Sequence, residues 1–169
     1  WTNNAPSLGI AAGGTGNIAS ITAQNSTQSS IVGTFSVQAQ YTNAGQLCLG
    51  NTEMFTITVN PQPQVIDPQN KVVCNGAQVS GINFTGPSTG TTYLWSNNNT
   101  SIGLAASGSG NIGLFTAVNT GNTPITATVT VTAQYVNGSQ LCTGNSETFT
   151  IIVNPTPVMI PTQDVTTCS

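Results

Sequence analysis

The 169-residue chain carries one Lys, no Arg, no His and four carboxylates, so only 3% of its residues are charged and the formal net charge is −3. General acid–base catalysis, nucleophile activation and transition-metal binding draw mainly on side chains that are scarce here, and a single cation offers no surface for nucleic-acid phosphates. Composition therefore argues against an enzyme and against nucleic acid as a partner, while a 37% hydrophobic share with mean hydropathy near zero argues for a folded chain.

Self-comparison at a shift of 94 residues organises the sequence. Trp1 falls on Trp95, Asn17-Ile18 on Asn111-Ile112, Gln40-Tyr41 on Gln134-Tyr135 and Asn60-Pro61 on Asn154-Pro155, without a gap and with about half of the overlapping positions identical. Residues 1–63 then read as the C-terminal two thirds of a repeat. Alternating prolines end a strand and hold a connection extended, so Pro61 and Pro63 mark the first linker. Residues 64–157 form a complete repeat, closed by Pro155 and Pro157, and 158–169 supply the N-terminal strand of the next. The N-terminus has neither the basic flank nor the apolar run of a signal peptide, and no stretch approaches the roughly 18 apolar residues of a membrane span. The expectation is an interior segment of a longer tandem array, with no membrane insertion by this segment.

Within the complete repeat, short alternating runs between Gly, Asn and Ser clusters predict strands near 64–67, 70–73, 78–85, 91–96, 102–106, 112–118, 124–136 and 147–154. The clearest places Ala127, Val129 and Val131 on one face and Thr126, Thr128 and Thr130 on the other; β-propensity accounts for the threonines better than an ice-binding grid does. Asn137-Gly138 is the expected hairpin turn. Gly14 and Gly16, like Gly108 and Gly110, read as turn or bulge glycines, because no Lys-Ser/Thr follows to make a phosphate loop. Seven or so strands in such a length predict an all-β fold of tandem immunoglobulin-like β-sandwich repeats. Trp95 takes the place of the large core aromatic, with Phe84, Phe115, Tyr135 and Phe149 around it, and Trp1 and Tyr41 repeat the arrangement.

The four cysteines have no metal-ligand spacing and read as disulfide partners in an oxidising setting. One reading pairs Cys74 with Cys142 inside the repeat, leaving Cys48 and Cys168 to pair outside the fragment; closing that loop would stabilise the fold by about 4 kcal/mol. The alternative bonds Cys74 to the counterpart of Cys142 in the next repeat, since a full strand ahead of Cys74 would carry it to the opposite pole. Glu53 and Glu147 recur just before the last predicted strand, but Asp67, Asp164 and Lys71 do not recur, so no carboxylate set for calcium and no repeated lysine crosslink is expected. No cofactor is expected.

The runs Val-Cys-Asn-Gly at 73–76, Tyr-Leu-Trp-Ser-Asn at 93–97, Ser-Ile-Gly-Leu-Ala-Ala-Ser-Gly at 101–108 and Phe-Thr-Ile-Ile-Val-Asn-Pro-Thr-Pro at 149–157 resemble the PKD-like, immunoglobulin-like repeats of giant Bacteroidota surface proteins. Such repeats occur in gliding-motility adhesins of the SprB type, exported by type IX secretion and displayed at the cell surface. The resemblance implies an extracellular filament segment acting as mechanical spacer and adhesive stalk. Its partners would be neighbouring repeats, substratum polysaccharide or another surface, and the cell-surface motility machinery. A static stalk or surface-layer protein, a carbohydrate-binding module and a spacer attached to an enzyme are the alternatives.

Overall fold

The computed structural model describes residues 1–168; Ser169, the last residue of the segment 158–169, lies outside the described residues. The chain is nearly all β, in several sheets consistent with a β-sandwich. Its strands are β1 (Thr2–Asn3), β2 (Ile31–Asn43), β3 (Gln46–Val59), β4 (Lys71–Cys74), β5 (Gln78–Val79), β6 (Thr91–Asn97), β7 (Ser107–Ser109), β8 (Phe115–Thr116), β9 (Ile125–Asn137) and β10 (Gln140–Asn154). Three sheets result, in the orders β1-β2-β3, β4-β10-β9-β6-β7 and β5-β8.

The longest strands form where β-branched residues alternate with polar ones. In β9, Ala127, Val129, Val131 and Ala133 are buried while Thr126 is exposed and Thr128, Thr130 and Thr132 are half-buried. β10 begins at Gln140, so Glu147 lies within it, as Glu53 lies within β3, and neither precedes the last strand as expected. Gly138 takes φ of +59° between β9 and β10, and Ala44 with Gly45 takes φ of +47° and +82° between β2 and β3. The Asn137 expected to share the positive-φ turn instead ends β9.

Two predicted strands are absent. Over 102–106 the chain makes a 3-10 turn, Thr100–Ile102, because the Asn99 side chain accepts a hydrogen bond from Ser101 N at 3.2 Å and Gly103 closes the turn at φ of +88°. Over 64–67 the chain joins no sheet: the Asn145 side chain bonds Val65 N and O, and Ile66 N donates to Thr85 O. β4 pairs parallel with β10, matching Lys71 to Ile151, Val72 to Ile152, Val73 to Val153 and Cys74 to Asn154.

The chain divides into two compact units, one of Trp1–Ile66, Thr85–Tyr93 and Thr132–Ser146, the other of Asp67–Phe84, Leu94–Val131 and Glu147–Ser169. In the first, Leu8, Ile10 and Phe35 are buried, Phe35 stacks on Phe55 with ring centroids 5.0 Å apart, and half-buried Trp1 lies 6.4 Å from Phe35. In the second, Phe84 meets Phe149 edge-on at 6.2 Å over a core that includes Val129, Val131, Ile151 and Val153. Each such side chain contributes on the order of 2 kcal/mol of burial. Trp95 is buried beside Gly108, its partner across β6 and β7, and a β-carbon there would collide with the indole; Gly14 serves Trp1 in the same way. Gly14 and Gly108 are thus seats for a ring rather than turn residues, whereas Gly16 and Gly110 do take positive φ.

Several expected positions are corrected. Tyr41 is 68% exposed, because the outer part of the β2–β3 hairpin has neither face covered. Tyr135 is half-buried and turned to a polar contact described below, and Phe115 is half-buried on the small β5-β8 sheet. The pairing of Cys74 with Cys142 does not occur. Cys74 sits beside Asn154, and Cys142 lies twelve residues earlier on β10, roughly 40 Å along the strand at about 3.3 Å per residue. A disulfide needs Cα atoms within about 7 Å. Cys48, Cys74, Cys142 and Cys168 are all free thiols.

Candidate functional site

The connector at 61–66 is held by backbone and side-chain groups of the first compact unit. Pro61 and Pro63 are fully buried rather than spanning open space. Gly144 lies flat against the Pro63 carbonyl and Gly86 against that of Gln64, and a β-carbon at either would collide with it. The Asn145 side chain treats Val65 as a strand neighbour would: its Oδ1 accepts from Val65 N at 2.8 Å and its Nδ2 donates to Val65 O at 3.2 Å. Ile66 N donates to Thr85 O at 2.8 Å. Polar side chains close the arrangement. Ser30 Oγ donates to Asn60 Oδ1 at 2.8 Å and meets the Tyr135 hydroxyl at 3.1 Å, and Asn137 Nδ2 donates to Asn60 Oδ1 at 2.8 Å. Every group in this joint is electrically neutral.

Asparagine side chains play the same part elsewhere. Asn97 Nδ2 reaches the carbonyls of Leu104 and Ala105, and Asn3 Nδ2 those of Ile10 and Ala11. Asn119 Nδ2 donates to Thr123 O and Val153 O at 2.8 Å each, and Asn25 Nδ2 donates to Ser29 O and Val59 O. These residues come in pairs 94 positions apart. Composition suggests that their amides serve surface solubility; instead they replace missing ladder bonds of turns and loops.

Several clefts border this first unit. One of about 470 Å³ is lined by Trp1, Asn17, Val37, Gln38 and Gln40 among others; one of about 300 Å³ lies between Asn25, Thr27, Gln62 and Ser88; and one of about 330 Å³ brings Cys142 and Thr143 beside Val59, Asn60 and Pro61. Burial raises the Tyr93 phenol above its ordinary pKa of 10.0. Among the described residues no three His, Cys, Asp or Glu gather as a metal site, and no helix is long and apolar enough to cross a membrane. Pro155 is half-buried and Pro157 exposed, whereas Pro61 and Pro63 are fully buried. No protein-family model matches the chain and no curated protein matches it.

Proposed function

We propose that the chain is a load-bearing segment of a long extracellular surface adhesin filament, built of 94-residue PKD-like, immunoglobulin-like repeats and displayed by a gliding bacterium. The observation that carries this reading is the parallel pairing of β4 with β10. The chain enters the repeat ahead of β4 and leaves it after β10. Tension on the two ends therefore draws these strands in opposite directions along a common axis, and their ladder bonds are loaded together rather than broken one at a time. The buried, clipped connector suits the same task, because slack between repeats would absorb extension without transmitting force. Each repeat adds roughly 30–40 Å, the span of strands about ten residues long.

Beads coated with antibody against the chain test the reading on living cells of the source organism. Travel along the cell surface is the expected result; beads that bind and stay fixed would make the protein a static stalk or surface layer, and beads that never bind would overturn the surface assignment. A second reading, carbohydrate binding, is favoured by the cleft where Trp1 lies with Asn17, Gln38 and Gln40. Titration calorimetry with soluble polysaccharide separates the two, since a spacer releases no heat.

A further inference from the structure

Cys74 opens a loop that the second unit holds from several sides. Asn75 N donates to Asn154 O at 2.9 Å, and Asn75 Nδ2 donates to Thr156 Oγ1 at 3.0 Å. Asn119 N donates to Asn75 Oδ1 at 2.8 Å, while Ala117 accepts from Gly76 N and donates to Ala77 O. A shift of 94 positions turns Ala117, Asn119, Asn154 and Thr156 into Ala23, Asn25, Asn60 and Gln62. Those four residues line the cleft of about 330 Å³ in the first unit, and Cys142 and Thr143, which belong to the following repeat, supply another of its walls.

The cleft is thus the seat of the loop that a complete first repeat carries, and that loop opens with a cysteine. In a continuous array this cysteine falls 21 residues ahead of Trp1, as Cys74 falls 21 residues ahead of Trp95. It takes the place beside Asn60 that Cys74 takes beside Asn154. One strand spacing, about 4.8 Å, then separates it from Asn60, inside the cleft walled by Cys142. The hairpin that carries Cys142 is fixed to the same spot, because Tyr135 meets Ser30 and Asn137 donates to Asn60.

We propose that Cys142 is one half of a disulfide across the joint, bonded to the cysteine that stands in the preceding repeat where Cys74 stands in this one. Cys74 bonds in the same way to the following repeat. The partners are 68 residues apart by position in the repeat and 94 more across the joint, 162 in all. No two of Cys48, Cys74, Cys142 and Cys168 have that spacing, and all four are free in this chain. An organic disulfide is the oxidant. One cysteine thiolate attacks it and expels a thiol; the second attacks the mixed disulfide and expels another. Two protons and two electrons pass to the oxidant, and one S–S bond joins the repeats.

Such bonds interleave along the array. Cys168 follows Cys142 by 26 residues, so the shortest covalent path uses 26 residues in every two repeats, and a pulled array reaches roughly one seventh of its unbridged contour length. The inference rests on the tandem array of the reading above and not on adhesion or gliding.

Peptide mapping tests it on the intact protein from the source organism, alkylated before lysis and digested without reduction. The expected product joins the peptide holding Cys142 to the one holding the cysteine 162 residues earlier. Cys142 recovered alkylated, or linked to Cys48 or Cys74, would overturn the proposal and leave the array standing; a gene encoding no repeat ahead of Trp1 would overturn both. A copy of residues 64–94 joined ahead of Trp1 completes the first repeat and adds a fifth cysteine to the four present. Oxidised glutathione is expected to leave three of those five thiols titratable, with no glutathione attached. The loss should vanish in Cys142→Ser and persist in Cys48→Ser and Cys168→Ser. Cys142→Ser should also melt with the reduced parent, which separates lost bonding from lost folding. Five thiols throughout, or a loss indifferent to Cys142, would overturn the proposal.

Discussion

Asn119 shows how this chain holds itself together with so few charges. Its amide joins Thr123 and Val153, its Oδ1 accepts from Gly121 N, and it is buried. Asn119→Ala strands the buried carbonyl of Val153 and frees that of exposed Thr123, and should cost about 1–3 kcal/mol in urea unfolding, at unchanged m-value. The sequence marks Asn25 and Asn119 as a recurring pair, but what they bond is invisible there, because Val153 lies 34 residues away and reaches Asn119 only after folding. Tyr93 gives the pH dependence. Its pKa is higher folded than unfolded, so the unfolded chain releases the phenolic proton first. The stability linked to Tyr93 is therefore full below the unfolded pKa of about 10 and is lost as pH rises through the folded value. Denaturation curves at rising alkaline pH should show this decline, and Tyr93→Phe should reduce it.

Strands were legible where the determinants are local. β6 and β9 follow from alternation, and the large rings of Trp95, Phe84 and Phe149 were expected to be inside. What could not be read was non-local or depended on a single cap. The 3-10 turn at Thr100–Ile102 turns on one Asn99 side chain, and the exposure of Tyr41 turns on what covers the outer β2–β3 hairpin. The parallel match of β4 to β10 joins positions some eighty residues apart. Successive backbone N–H groups of a strand point to opposite edges, so of Val72→Pro and Val73→Pro one removes a donor facing β10 and the other does not. Pulling the chain from its ends should reveal the asymmetry: one variant lowers the peak unfolding force of the second repeat and the other leaves it nearly unchanged. Equal losses, or none, would argue against β4 as the element that bears the load.

At the scale of the whole molecule, stability rests on packing and on neutral hydrogen bonds, since the four thiols are free. Melting scans of the chain at low concentration, with and without dithiothreitol, should superimpose. A fall in melting temperature matching the roughly 4 kcal/mol of a closed long loop would show that a disulfide forms after all. The 94-residue correspondence is legible in the sequence, but the joint is not, because Ser30, Asn60, Asn137 and Asn145 read individually as ordinary surface residues. That joint has an environmental corollary. Dissolved ions weaken attraction between charges within about a Debye length, but the bonds linking Ser30, Asn60, Tyr135, Asn137 and Asn145 to their partners contain no ionised group for a counterion to shield. The connector should keep its grip equally in fresh water and in brine.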